Sequence, residues 1–383
     1  FAIFAVLIFS GIIPIGKSAG TTGLTGDLVL WGTAPFNEMA SITGPISAQN
    51  KGLNINYVVK NPQTFDTELV EAIAVGNGPD IIFLRDDSIL KNKNKVLPIP
   101  YTSLPQQTFD ATFVGEGGLY LDTEGVLGVP LTLDPLVLYY NTGMLDTAGI
   151  PTVPQYWDEV LLVAPNLTTR DASGTITRST IAMGHYDNVP HAKDIIAMLI
   201  MQSGGQLVGR GPDGYVSALN QRPAGALLNP ASEALTFYTE FANPLKAAYS
   251  WNKAQPNAQD AFIAGSLAMY IGYASELFTI RNKNPNLGFN VAPIPQIRGA
   301  QGRLTFGRIN ALAVIKSSKN VSAAVSVVGL MTGKDASKVL TTALSLAPVR
   351  RDIIAERPLP TDPPNATVFY NAALVARGWL DPD

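Results

Sequence analysis

The chain has 383 residues, of which 46% are hydrophobic and 15% charged, with a formal net charge of −3 and no cysteine. This balance describes a well-buried globular protein and excludes a disordered one, and the length exceeds what one compact core holds, so two domains are expected. The charge gives no case for nucleic acid or an anionic membrane surface, and without cysteine there are no disulfides, thiolate metal sites or cysteine nucleophiles.

Phe1–Ile15 is almost wholly apolar and no methionine starts it, so the sequence is expected to begin inside a longer hydrophobic segment. Small residues suited to a cleavage site are hard to find around Pro14, Gly16 and Lys17, which favours an uncleaved signal anchor over a cleaved signal peptide. Residues 1–25 are read as this anchor and its tether, with Thr21–Gly26 flexible by composition. Gly11–Ser18 fits the phosphate-loop spacing G-x-x-x-x-G-K-[ST]. That loop must open a helix whose free N–H groups hold the phosphates. The Gly- and Thr-rich residues that follow will not propagate one, so an ATPase is refused.

Asp27–Trp31 reads as a short buried strand, followed by a breaker and a helix through Asn37–Gln49. Leu53–Val59 alternates as a half-buried strand. Phe65, Leu69, Ala72 and Ile73 recur at helical spacing until Gly76-Asn-Gly-Pro79, and Asp80–Leu84 is a continuous apolar strand. This alternation predicts a parallel sheet covered by helices on both faces, with ligands beyond the carboxyl ends of its strands. Trp31–Phe36 and Arg85–Ser88 then lie at that edge, as ligand contacts or as plain loop.

Val126–Met144 is the organising stretch. Gly128 and Pro130 end one apolar strand, and Pro135 precedes another, Leu136–Tyr140. Prolines on both sides of Leu131–Asp134 remove two donors, so the segment reads as a strand that leaves one sheet, crosses unpaired and enters a second. Asp134 would then lie at the wall of a cleft between two lobes; an ordinary surface loop is the alternative. Downstream, Tyr156–Val163 and His191–Ser203 read as helices, with Ser179–Gly184 strand-like between them. Asn229-Pro230 joins a capping side chain to a proline at the first helical position, and Leu235, Tyr238 and Phe241 are expected to line the buried face that follows. Ala258–Ala264 is a helix broken by Gly265, Leu267–Ile271 a strand, and Gly272-Tyr-Ala-Ser-Glu276 opens the next helix. Gly288–Ala292 and Asn310–Ile315 are strands, and Asn320 is expected to cap the helix Val321–Met331.

Little supports an enzyme. His185 and His191 are the only histidines, without metal spacing or an evident carboxylate partner, so no catalytic residue, metal ligand or cofactor is assigned. A glycoside hydrolase needs two carboxylates at a set distance, and Asp86, Asp87, Asp134 and Glu276 carry no spacing that defines such a pair. Trp251 and Trp379 are cleft or core residues. The sequons at Asn166 and Asn365 are read as chance matches.

Four segments resemble a known family. They are Gly128-Val-Pro130 with Leu138-Tyr-Tyr-Asn141, Ala148-Gly-Ile150 and Pro154–Glu159; Ala261-Phe-Ile-Ala-Gly265-Ser-Leu-Ala-Met269; Gly288-Phe-Asn-Val-Ala-Pro293-Ile-Pro295; and Leu346-Ala-Pro348-Val-Arg-Arg351. In this order over about residues 27–378 they are similar to the extracellular solute-binding proteins of ABC importers, in the branch resembling maltodextrin- and sugar-binding proteins. The family continues for some tens of residues past a segment like Phe369–Arg377, so a chain cut at both ends is expected. The resemblance implies an α/β, two-lobe periplasmic-binding-protein-like fold of type II, each lobe a sheet flanked by helices, with hinge strands between them. Lobe 1 would be residues 26–132 plus 306–346, and lobe 2 residues 133–305 plus 347–383.

The resemblance further implies an extracytoplasmic monomer that captures a small solute by lobe closure and delivers it to a membrane permease, with membrane contact through its N-terminal segment. A sugar presents apolar ring faces and a rim of hydroxyls, so its site needs aromatic plates with a few carboxylates and amides. The family's positions fall on Trp31, Thr33 and Phe36 after the first strand, Asp87 after the third, and Asp134 at the hinge. They also fall on Tyr273, Ser275 and Glu276 after the Gly-x-x-Ala-Met strand, on Phe306, and on Phe369 and Tyr370 near the tail. This chain departs from the sugar-binder pattern by carrying Tyr273-Ala-Ser-Glu276 where tryptophan is common, and Leu84-Arg85 where an aromatic is expected. Alternatives are a polyamine, peptide or anion, or an anchored surface module with a protein partner.

Overall fold

The computed structural model describes residues 24–211, 214–223, 227–300, 302–344, 346–356 and 365–381. The expected anchor, most of its tether and the phosphate-loop match lie outside them. Among the described residues no helix is long and apolar enough to cross a membrane. The chain divides into two compact units, the first taking the chain up to Leu133, Arg308–Ala366 and the residues from Gly378, the second Asp134–Gly307 and Thr367–Arg377.

In the first unit Gly26–Gly32 pairs in parallel with Leu53–Val59, from Gly26 opposite Leu53 to Gly32 opposite Val59, and with Ile81–Arg85 at Leu30 and Trp31. Ile81–Leu84 is buried on both faces, which is why that strand is continuously apolar, whereas Leu53–Val59 alternates. The end of Thr305–Val314 adds antiparallel to it, Asn310 opposite Arg85 through Val314 opposite Ile81. Asp80 pins the strand entrances, accepting from the Val29 N–H at 2.9 Å and the Ser318 hydroxyl at 2.5 Å. Helix Phe36–Gln49 buries Met39, Ile42, Thr43 and Ile46, a helical stripe, and Val321–Met331 and Lys334–Leu344 pack against it.

In the second unit Leu136–Tyr140 pairs antiparallel with Leu267–Tyr273 on one side, and Leu138–Asn141 with Phe289–Ala292 on the other. Leu267–Tyr273 pairs in parallel with Ile176–Ile181. Helix Pro230–Glu240 begins as its sequence predicts, with the Asn229 side chain accepting from the Ser232 N–H at 3.0 Å.

Several expectations are corrected. Val129–Asn141 is a single 13-residue strand through both prolines, not two strands joined by an unpaired passage. Proline lacks only the N–H; the Pro135 carbonyl still accepts from Ala274 N–H at 3.0 Å. Leu235 is 50% exposed, and the buried face of its helix is Ala234, Tyr238 and Phe241. Asn320 precedes its helix without capping it by side chain; its amide instead donates to the Asp27 carbonyl at 3.1 Å. Residues 347–356 belong to the first unit, not with lobe 2, because Ala347 bridges Leu133 and Arg350 bridges Phe113. Trp251 is core, its indole N–H donating to Asn188 at 3.0 Å.

Gly125 offers a test of the first unit. It sits at φ +145°, and a Cβ there would lie 2.3 Å from the Ile99 carbonyl oxygen, inside the bridge that joins Ile99 and Val126. Gly125→Ala is expected to destabilise the protein by about 3 kcal/mol in a denaturant titration; a midpoint unchanged from the parent would contradict this packing.

Candidate functional site

Parallel pairing puts the carboxyl ends of Gly26–Gly32, Leu53–Val59 and Ile81–Arg85 on one edge of the first unit. There the Lys60 N–H donates to the Gly32 carbonyl at 2.8 Å, and Arg85 donates to the Pro62 carbonyl at 3.0 Å, tying the three exits together. Trp31, Thr33, Phe36 and Asp87 all lie on these exits. Trp31 is only 8% exposed: the Lys60 ammonium lies 3.7 Å over its ring and Phe65 meets it edge-on at 6.4 Å. Phe36 is 57% exposed beside Tyr57, whose hydroxyl donates to the Ala34 carbonyl at 2.6 Å. Asp87 accepts both arms of Arg85, at 2.9 and 2.8 Å.

Asp134, Tyr273, Ser275 and Glu276 come together in the second unit, where Leu267–Tyr273 ends and helix Glu276–Lys283 begins. Tyr273 is therefore the last residue of the strand, where the sequence had placed it within a helix opening. The Ser275 N–H donates to the Asp134 carboxylate at 3.0 Å, and the Tyr139 hydroxyl donates to the Tyr273 carbonyl at 2.7 Å. Glu276 collects four donors. Its Oε1 takes His191 Nε2 at 2.6 Å and the Tyr273 N–H at 2.9 Å, and its Oε2 takes Gln259 at 2.5 Å and the Tyr270 hydroxyl at 2.7 Å. A carboxylate has about four lone-pair positions, so this one is filled by the protein itself. Burial alone would raise its pKa, but His191, Tyr270 and the Tyr273 N–H together hold it below the ordinary value of 4.5. The same burial and the facing carboxylate push the Tyr270 hydroxyl far up. The Tyr273 hydroxyl is committed to Asp194 at 2.7 Å, and its ring meets the His191 ring edge-on at 4.7 Å.

Phe306 pairs in register with Arg377, just after the helix that carries Phe369 and Tyr370, and all three aromatics are buried. The eleven nominated residues thus fall into three groups, one on the first unit and two on the second. Sequence reasoning missed Lys60 and His191. Lys60 is the first residue after the second strand, so extending the strand-edge rule to that strand finds it. His191 does have a carboxylate partner, but Glu276 is 85 positions away and only the fold brings them together. Among the described residues no group of three or more His, Cys, Asp or Glu side chains is placed to hold a metal ion.

Each unit is α/β, and the chain passes from one to the other within the strands Val129–Asn141 and Thr305–Val314. The sequence matches the family model for bacterial extracellular solute-binding proteins over residues 33–338, and the chain belongs to that family. It is 23% identical over 325 residues to a Brucella abortus (strain 2308) protein described as a binding protein, a match covering 84% of this chain and 74% of that one. Its fold is that of a cyclo/maltodextrin-binding protein solved with maltotetraose (TM-score 0.74, 16% identity, 96% of this chain and 88% of that one). A cyclic alpha-maltosyl-1,6-maltose binding protein from Arthrobacter globiformis (TM-score 0.74, 15% identity, 93% and 89%) shares it. So does the maltose-binding protein MalE of Listeria monocytogenes in complex with maltose (TM-score 0.71, 16% identity, 93% and 87%).

The Glu276 network makes a pH prediction. Its folded pKa lies below the unfolded one, so its ionised form adds stability that is fully present above about pH 4.5 and is lost as pH falls through the lower folded value. Glu276→Gln must set an amide NH2 against two donors, either His191 with the Tyr273 N–H or Gln259 with Tyr270. The variant is expected to lose about 3 kcal/mol at pH 7 and to show a flatter stability profile between pH 5 and pH 3. Parallel profiles for the two proteins in urea titrations would contradict the assignment.

Proposed function

We propose that this chain is the carbohydrate-capturing component of an ABC import system, held outside the cytoplasm and delivering its solute to a membrane permease whose ATPase subunits are separate chains. The observation that carries the reading is the family match over residues 33–338, and the fold is shared with proteins solved holding maltotetraose or maltose. Phe36 would supply apolar ring contact on the first unit, with Thr33 and the Arg85–Asp87 pair beside it offering polar groups. On the second unit the Asp134 carboxylate, fixed by the Ser275 N–H, would accept hydroxyl hydrogen bonds. Glu276 acts as a positioning residue: it holds Tyr273 and the turn that presents Ser275.

Residues 1–25 are proposed as the membrane tether that keeps the binding units near the permease. An anion is the weaker alternative. Arg85 and Arg350, which such a ligand would want, are each held by a carboxylate of their own, Asp87 and Asp352.

A thermal-shift screen tests the proposal. A saccharide with a Kd near 1 μM, at a hundredfold excess over that Kd, stabilises its binder by about 2.7 kcal/mol. Asp134→Ala is expected to lower the melting temperature of the unliganded protein only slightly, because the Ala274–Pro135 hydrogen bond remains, and to weaken saccharide binding by about tenfold or more, the loss of one charge-assisted hydrogen bond. If every saccharide leaves the melting temperature unmoved while a polyamine, peptide or anion raises it, the carbohydrate assignment is wrong.

A further inference from the structure

A pyranose can stack its C–H-bearing face on an aromatic ring, and further open rings give a linear glucan places to lay down further sugars. The first unit carries a tryptophan at its carboxyl edge, but that ring is not open. Lys60 places its ammonium 3.7 Å over the ring, and the same ammonium is clamped by Glu68 at 2.7 Å. Glu68 is held in turn by the Thr64 hydroxyl at 2.5 Å. The lysine is therefore fixed on the ring face by a cation–π contact and an ion pair together, and does not merely lie across it. Phe36 remains the exposed aromatic of this edge, a plate wide enough for one sugar ring. Of the nominated aromatics of the second unit, Tyr273 has its hydroxyl tied to Asp194 and its ring against His191, and Phe306, Phe369 and Tyr370 are buried.

We infer that Lys60 is a specificity-determining residue: by covering Trp31 it removes the plate on which a glucan chain would continue, so the site takes a small, hydroxyl-rich saccharide of one or two rings and discriminates against maltodextrins. This inference rests on the carbohydrate reading above. It narrows that reading by size, and it sets this chain apart from the structurally similar protein solved with maltotetraose.

The test is isothermal titration of the purified chain with D-glucose, D-galactose, D-mannose, D-xylose, maltose and maltotetraose, repeated on Lys60→Ala and Lys60→Met. The unmodified protein is expected to bind at least one mono- or disaccharide about tenfold or more tighter than maltotetraose. Lys60→Ala uncovers Trp31 and is expected to gain about tenfold or more for maltotetraose, with a ligand-dependent change in tryptophan emission. Lys60→Met keeps an alkyl cover on the ring and should gain far less. The inference is overturned if the unmodified protein binds maltotetraose at least as tightly as every smaller sugar, a ranking that decides the matter even were Lys60→Ala unstable. It is overturned equally if a folded Lys60→Ala gains nothing. Binding of no saccharide of any size would instead defeat the carbohydrate reading itself.

Discussion

A proline takes one N–H from a strand and leaves its carbonyl and its extended backbone intact, and the strand Val129–Asn141 is arranged around that fact. Its two prolines lie before the stretch that pairs on both sides, Leu138–Tyr140, where every N–H is available to a neighbour. Up to Leu133 the strand belongs to the first unit, and from Asp134 onward to the second. The carboxylate at that junction is not loose. It accepts from the Ser275 N–H, and the adjacent Pro135 carbonyl accepts from Ala274, so the end of one strand is stitched to the crossing point of another. Asp134 and Ser275, with Tyr273 and Glu276 on either side of the turn, share a location through this stitch.

Several charged groups beside the candidate residues are also partnered in advance. Arg85 meets Asp87, Lys60 meets Glu68, and His191 meets Glu276. A charged ligand would have to compete with a built-in partner at each of these, and would recover only the difference between two similar interactions. A neutral solute with many hydroxyls meets no such competition, because a hydroxyl both donates and accepts and can add to an ion pair at its rim without breaking it. For Arg85 this pairing makes a neutral hydroxyl-bearing solute a better match than an anion. The pairs on the first unit lie partly in solvent, so they shape the surface more than they stabilise the fold.

Much of the fold is legible in the sequence wherever one period dominates. Leu53–Val59 alternates, Ile81–Leu84 is continuously apolar, and Asn229-Pro230 announces its helix, so each element falls within a residue or two of its observed bounds. Lys334–Leu344 and Ala366–Val375 are not legible because the buried stripe of the first includes the polar Ser337 and Thr341 and the second carries apolar residues nearly all round. Residues 347–356 were set with the wrong partner unit because their placement depends on the Leu133 and Phe113 bridges, contacts more than two hundred positions apart. The candidate site divides in the same way. Strand-end position nominates Trp31, the Val126–Met144 stretch nominates Asp134, and the family resemblance nominates Glu276. What each one is already bonded to is a tertiary fact, and it turns Glu276 from a ligand acceptor into a structural anchor and Trp31 from a plate into a covered ring.

The central proposal is that solute contacts the strand-end residues nominated on each unit. Amide hydrogen exchange with and without a saturating saccharide measures this directly. The account predicts slowed exchange concentrated in the peptides that cover residues 31–36, 85–88 and 273–276, with the Ser275 amide among the most protected. Protection confined to other segments, or none in these three while the saccharide is demonstrably bound, would contradict it.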